Sequence, residues 1–232
     1  MEPKITKECI GTLVENKFIK VYDLQYKEGA HYFEATRRYS DNLVAIKSEE
    51  EFKSMLPDAV TCVVIINDSD EPKLLMQKEY RYPAGRFLTS PPAGLIDDAD
   101  KDNADKDNTD KDNADKNNEA LFTAARREIF EETGLVLGDG DKMFVINPLL
   151  FSTPGMTDES NALVCALLNN HSMSELTQAG AEGSEVIADF ELLTEKDARR
   201  MIKEGVDDCG HFYSVYTWMS LMYFVSGMWK EA

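Results

Sequence analysis

Between Glu119 and Leu135 the chain reads EALFTAARREIFEETGL, and few folds accommodate that segment. Ala120, Leu121, Ala124, Ala125 and Ile129 recur at three- and four-residue spacing, which predicts an amphipathic helix. Gly134 supplies the left-handed residue that ends such a helix. Glu128, Glu131 and Glu132 stand at i, i+3 and i+4, so three carboxylates crowd one flank within a single turn. They repel one another, and near a helix C-terminus they also oppose the macrodipole. Acidic runs commonly do no more than solvate a helix face, but two unfavourable choices at once call for a compensating use. A hard divalent cation supplies one, because magnesium takes carboxylate oxygens while keeping part of its water shell.

A chain of 232 residues, 43% of them hydrophobic, can bury one substantial core with a smaller appendage. Its formal net charge of -18 argues against nucleic acid and anionic membrane surfaces as partners. An anionic substrate therefore needs local help from cations or arginines. Cys9, Cys62, Cys165 and Cys209 are far apart and form no CxxC pair, as expected of free thiols in a reducing compartment. The opening MEPKITKECIGTLVENK lacks the apolar core of a signal peptide, so a cytoplasmic location is expected.

Alternation in Ile10–Asp23 and His31–Arg38 predicts a two-stranded hairpin, and KSEEEFKSML (47–56) predicts a short helix stopped by Pro57. The continuous apolar run Val60–Ile66 predicts a strand buried on both faces, with Lys73–Tyr80 as its partner. Further strands are expected at Met143–Phe151, Ala162–Leu168 and Glu185–Leu192. A helix capped by Thr194 and stopped by Gly205 follows, and a final helix spans Phe212–Trp229. Between strand and helix lie four pentapeptides from Ala99 to Asn118, ADKDN-ADKDN-TDKDN-ADKNN. Nothing in them is larger and more apolar than alanine, so the tract reads as a flexible insert. On loop-closure grounds alone, deleting Asp100–Asn118 is expected to leave fold and activity in place.

At Glu119, Arg127, Glu128, Ile129, Glu131, Glu132, Gly134 and Leu135 the sequence resembles the Nudix hydrolases. Their box runs Gly, five residues, Glu, seven residues, Arg-Glu, an aliphatic residue, any residue, Glu-Glu, any residue, Gly and a final aliphatic residue. The departure is the leading glycine: Gly94 precedes Glu119 by twenty-five positions where six are expected, and the repeats account for the surplus. Arg81 shortly before Pro83, together with Pro92-Ala93-Gly94-Leu95-Ile96-Asp97, is similar to the ADP-ribose pyrophosphatase branch. Ser90 stands where that branch often has an acid.

The resemblance implies an α/β/α sandwich with a mixed sheet over 58–232, preceded by a β region at 1–57 that joins two subunits into a homodimer. It implies magnesium- or manganese-dependent hydrolysis of ADP-ribose to AMP and ribose 5-phosphate. Another nucleoside diphosphate sugar such as GDP-mannose, or a non-catalytic nucleotide sensor, are the alternatives. By the same resemblance Glu128, Glu131, Glu132 and the Ala93 carbonyl hold the metal, and Glu119 pairs with Arg127. Glu185 brings a late carboxylate, with Glu182 and Glu159 as alternatives, and Arg81, Phe33 and Arg38 bind substrate.

Overall fold

The computed structural model describes residues 4–67, 71–101, 113–169, 171, 173–177 and 186–231. The chain divides into two compact units: 1–58 with 149–161, and 59–148 with 162–232. The first unit thus recruits a segment from far along the sequence, which no local pattern signals.

The expected hairpin of the first unit is a three-stranded antiparallel sheet, β1 (Ile10–Glu15), β2 (Lys20–Lys27) and β3 (Ala30–Thr36). The extra turn lies at Asn16, whose side-chain oxygen accepts the N–H groups of Phe18 and Ile19 and so folds the backbone back. A second turn at Gly29, in the left-handed region at φ 69°, separates β2 from β3. Tyr22, Leu24 and Leu43 form the buried centre, with Ile5, Ile10 and Ile46 against it. Helix α1 (Glu49–Lys53) begins in a capping box, Ser48 and Glu51 each bonding the other's backbone N–H.

In the second unit β4 (Ala59–Ile66) is buried at every residue, as its unbroken apolar run predicts. The sheet order is β10-β5-β4-β9-β8, with β6 paired to β5 and β7 to β4. These strands are β5 (Lys73–Arg81), β6 (Arg86–Ser90), β7 (Ala93–Leu95), β8 (Lys142–Phe151), β9 (Ser160–Leu168) and β10 (Ile187–Leu193). Helix α2 (Asn113–Thr133) lies against β4 and β7, α4 (Val215–Ser226) against β4 and β6, and α3 (Glu195–Glu204) against α4. The architecture is mixed α/β, with helices covering both faces of the central strand. Thr194 and Asp197 cap α3 reciprocally, and Gly205 ends it at φ 73°. The final helix is shorter than its apolar run, since Gly227 at φ 73° ends α4 ahead of a single tight turn. No described helix is long and apolar enough to cross a membrane.

The repeat tract is not uniform. Its first residues continue a helical turn at 98–101, and its last six, Asn113–Asn118, already belong to α2. Positions 102–112 lie outside the described residues.

Candidate active site

Helix α2 buries Ala120, Leu121, Ala124, Ala125 and Ile129, which fixes the direction in which its acidic flank points. Gly134 ends it at φ 76°, its N–H reaching the Phe130 carbonyl. Of the three flank carboxylates, Glu128 and Glu132 are only 5% and 2% exposed. Glu132 Oε2 accepts Gln77 Nε2 at 2.8 Å and the Ala93 N–H at 3.0 Å, which hold the carboxyl in one orientation. Burial raises its pKa well above the ordinary carboxylate range, and the charges of Glu128 and Glu79 add to the effect. Gly94 backs onto Glu128 so closely that a Cβ there would overlap its carboxylate, and any other residue would push that carboxylate out of its present position.

Arg127 gathers the site. Its Nη1 bonds Glu128 Oε1 at 2.8 Å and Glu131 Oε2 at 2.9 Å, and Nη2 reaches the Leu95 carbonyl at 2.8 Å. The remaining contact differs from expectation. Asp100, not Glu119, takes the guanidinium through Oδ2 at 2.9 Å and Oδ1 at 3.3 Å, and its side chain is 3% exposed. Asp100 is held in turn by a reciprocal bond with Asp97, the N–H of each reaching the other's carboxylate at 2.9 and 3.0 Å. Counting six positions from Gly94 reaches Asp100, the spacing a box acid requires. The insertion therefore begins after Asp100, an acid that the first pentapeptide of the repeats disguises.

Glu79 is a second residue that the sequence reading missed. It shares β5 with Gln77 two positions away, so both side chains leave the same face. It is 8% exposed, raises Glu132 electrostatically, and pairs with Arg81 at 2.5 Å. Arg81 keeps a 46% exposed side chain at the end of β5. Glu185 and Glu182 lie outside the described residues; the described chain resumes at Val186, and Ile187 stands opposite Glu79 in the sheet.

Three expected residues fall in the first unit. Phe33 is 59% exposed and stacks loosely on His31. Glu159 is ion-paired with Arg37. Arg38 has an 8% exposed side chain, ion-paired to Asp58 at 2.7 Å and to Asp158 at 3.6 Å, contacts that hold the unit together.

Among the described residues no three His, Cys, Asp or Glu side chains converge as a preformed metal cage. The donor set nonetheless suits a hard cation: oxygen only, buried, and mutually repelling at Glu128 and Glu132. Part of that repulsion is offset by Arg127, which occupies one oxygen of Glu128 and one of Glu131.

The profile of the NUDIX domain matches residues 55–209. The chain is 32% identical over 107 residues to a nudix hydrolase 2 of Caenorhabditis elegans, and the match covers 46% of this chain and 38% of that protein. It is 30% identical over 109 residues to an uncharacterized Nudix hydrolase of Schizosaccharomyces pombe, covering 47% and 42%. The matches thus span about two fifths of each relative's length. A crystal structure of an Ap4A hydrolase binary complex from C. elegans superposes with a TM-score of 0.44 at 16% identity, covering 74% of this chain and 98% of that one.

Proposed function

This chain belongs to the NUDIX domain family, and we propose that it hydrolyses the pyrophosphate bond of a nucleoside diphosphate sugar, ADP-ribose above all, to AMP and ribose 5-phosphate. The observation that carries this reading is the buried pair Glu128 and Glu132, set against the backbone of Ala93-Gly94, with Glu132 bonded to the Ala93 N–H and Glu128 filling the space beside Gly94. We assign magnesium or manganese to Glu128, Glu131, Glu132 and the Ala93 carbonyl. When bound, such a cation screens the diphosphate charge and makes a coordinated water a better nucleophile.

The chain's own residues do the positioning. Gln77 and the Ala93 N–H fix one oxygen of Glu132, so the other is presented in one direction. Asp100 holds Arg127 against β7, which sets how Glu128 and Glu131 stand relative to that strand. Arg81, oriented by Glu79, offers a planar fork to a phosphate oxygen pair. Glu185 provides the late carboxylate that takes a proton from the attacking water. Phe33, exposed on the first unit, offers a face for stacking a purine base, and the unit joins two subunits.

The test is a turnover screen of ADP-ribose, GDP-mannose and UDP-glucose with magnesium, scored by released mononucleotide. ADP-ribose is expected to lead, and Glu185→Gln to lower kcat far more than it raises KM. Cleavage of GDP-mannose in preference to ADP-ribose overturns the substrate. Absence of any turnover overturns the enzymatic reading.

A further inference from the structure

The first unit contains a cavity of about 230 Å³ lined by Leu24, Tyr32, Val44, Phe151, Pro154 and Met156, with Glu34 and Asp158 supplying its carboxylates. All of these residues belong to one compact unit. Glu34 is 6% exposed, and its Oε2 has no hydrogen-bond partner among the described residues. A buried, unsatisfied carboxylate oxygen costs stability unless something fills the need.

Its neighbours do not fill it. Asp158 Oδ1 accepts the Thr36 hydroxyl at 2.6 Å and faces Arg38 at 3.6 Å, while Oδ2 accepts the Val44 N–H at 3.1 Å. Arg38, the nearby cation, is bound more closely to Asp58 at 2.7 Å. The Tyr32 hydroxyl donates to the Gly155 carbonyl at 2.6 Å. Apart from Glu34, Asp158 and Thr157, the cavity walls are mainly apolar, which suits a ligand that carries a hydrocarbon body beside its charge.

We propose that this cavity binds a small organic ammonium ion, its N–H groups on the Glu34 carboxylate and its alkyl or arylalkyl body against Leu24, Phe151 and Met156. The volume is below the ~300–1,000 Å³ of pockets that enclose drug-sized ligands, so a nucleotide is too large for it. The strongly negative chain favours a cation over an anion here. Burial first and Asp158 second raise Glu34 to about 7, with Arg38 acting in the opposite sense. A cation seated on Glu34 favours its ionised form. The site is independent of the hydrolytic reading, because none of its residues is assigned to that chemistry.

The probes are isoamylamine hydrochloride and its uncharged isostere isoamyl alcohol, titrated into the full-length protein with methyl-labelled methionine and leucine. The amine is expected to shift the Met156 and Leu24 methyl resonances saturably at pH 8. The alcohol should bind at least about ten-fold more weakly, the ratio that separates a charge-assisted from a neutral hydrogen bond. Glu34→Gln is expected to erase that preference while leaving the rest of the methyl spectrum in place. Equal affinity for amine and alcohol, no saturable shift with either, or a preference that survives Glu34→Gln each overturns the proposal. The comparison of the two probes on the unsubstituted protein decides the matter even where the variant fails to fold.

Discussion

Substituting Asp100 by Asn tests whether this aspartate, hidden at the head of the repeats, anchors the site. Its carboxylate is 3% exposed and takes two bonds from Arg127 and one from the Asp97 N–H. Asparagine keeps the shape and one acceptor oxygen but loses the charge. Breaking a buried pair costs about 3–5 kcal/mol when the surviving charge is stranded. Arg127 is not stranded, because Glu128, Glu131 and the Leu95 carbonyl remain. The loss therefore reduces to the charge-assisted part of two bonds, about 2–3 kcal/mol. For a chain of this length that lowers the thermal midpoint by roughly 5–10 °C. Activity should fall roughly ten- to hundred-fold, the usual cost of removing a group that orients a ligand-bearing residue, and mostly in kcat. Asp100→Glu should recover part of both losses, and Glu119→Gln should stay within about 0.5 kcal/mol of the parent. Thermal denaturation and steady-state hydrolysis of ADP-ribose measure all three. If Glu119→Gln proves damaging and Asp100→Asn harmless, the Arg127 pairing described above does not operate. Deleting Asp100–Asn118 places Glu119 six positions after Gly94, where Asp100 stood, so that variant is expected to keep fold and activity as Asp100→Glu does.

Three other outcomes are expected. Glu132→Gln should abolish turnover yet raise the metal-free thermal midpoint at neutral pH, since burial holds the wild-type carboxyl above its ordinary pKa and its ionisation opposes folding; an unchanged rate at saturating magnesium refutes the catalytic role. Glu34→Gln should stabilise the chain by about 3 kcal/mol above pH 7, from a shift of 4.5 to about 7 at ~1.36 kcal/mol per unit, and the gain should vanish below pH 4.5; urea denaturation at pH 4 and pH 8 separates these values. His171 bonds Asp141 and Glu175 at 3.0 Å each, and against the burial that would lower it these carboxylates hold its pKa above the ordinary value. His171→Gln should therefore cost roughly 1 kcal/mol at pH 6, and this difference should fade as pH rises through the raised pKa; a pH-independent loss would mean packing alone.

What the sequence makes legible follows from how local each cause is. The apolar run of β4, the Thr194 and Asp197 cap of α3 and the glycine stop of α2 each lie within a few residues of what they specify. The glutamates of α2 belong here too, because helical spacing alone brings them together. Strand β6 was passed over because its buried residues, Thr89 and Ser90, are polar. The Thr89 hydroxyl earns burial through Lys78 on β5 and Asp207 beyond α3, partners remote in sequence. The ion pairing of Arg38 is hidden for the same reason, since Asp158 lies 120 positions away. Asp100 is hidden differently: seven aspartates of the repeat tract look alike, and only the distance from Gly94 singles one out.

The bonds from Arg127 to Asp100 and to the Leu95 carbonyl have an architectural consequence. They tie α2, through the Arg127 guanidinium, to β7 and to an aspartate that precedes the insertion, so mechanical load between strand and helix bypasses the covalent connection. Chain length between residue 101 and the start of α2 is thereby uncoupled from the spacing of Glu128 and Gly94. Replication slippage in a pentapeptide array adds or removes residues five at a time. A joint of this kind turns such jumps into neutral variation, and it makes the same position a natural port for grafting a reporter or a second domain.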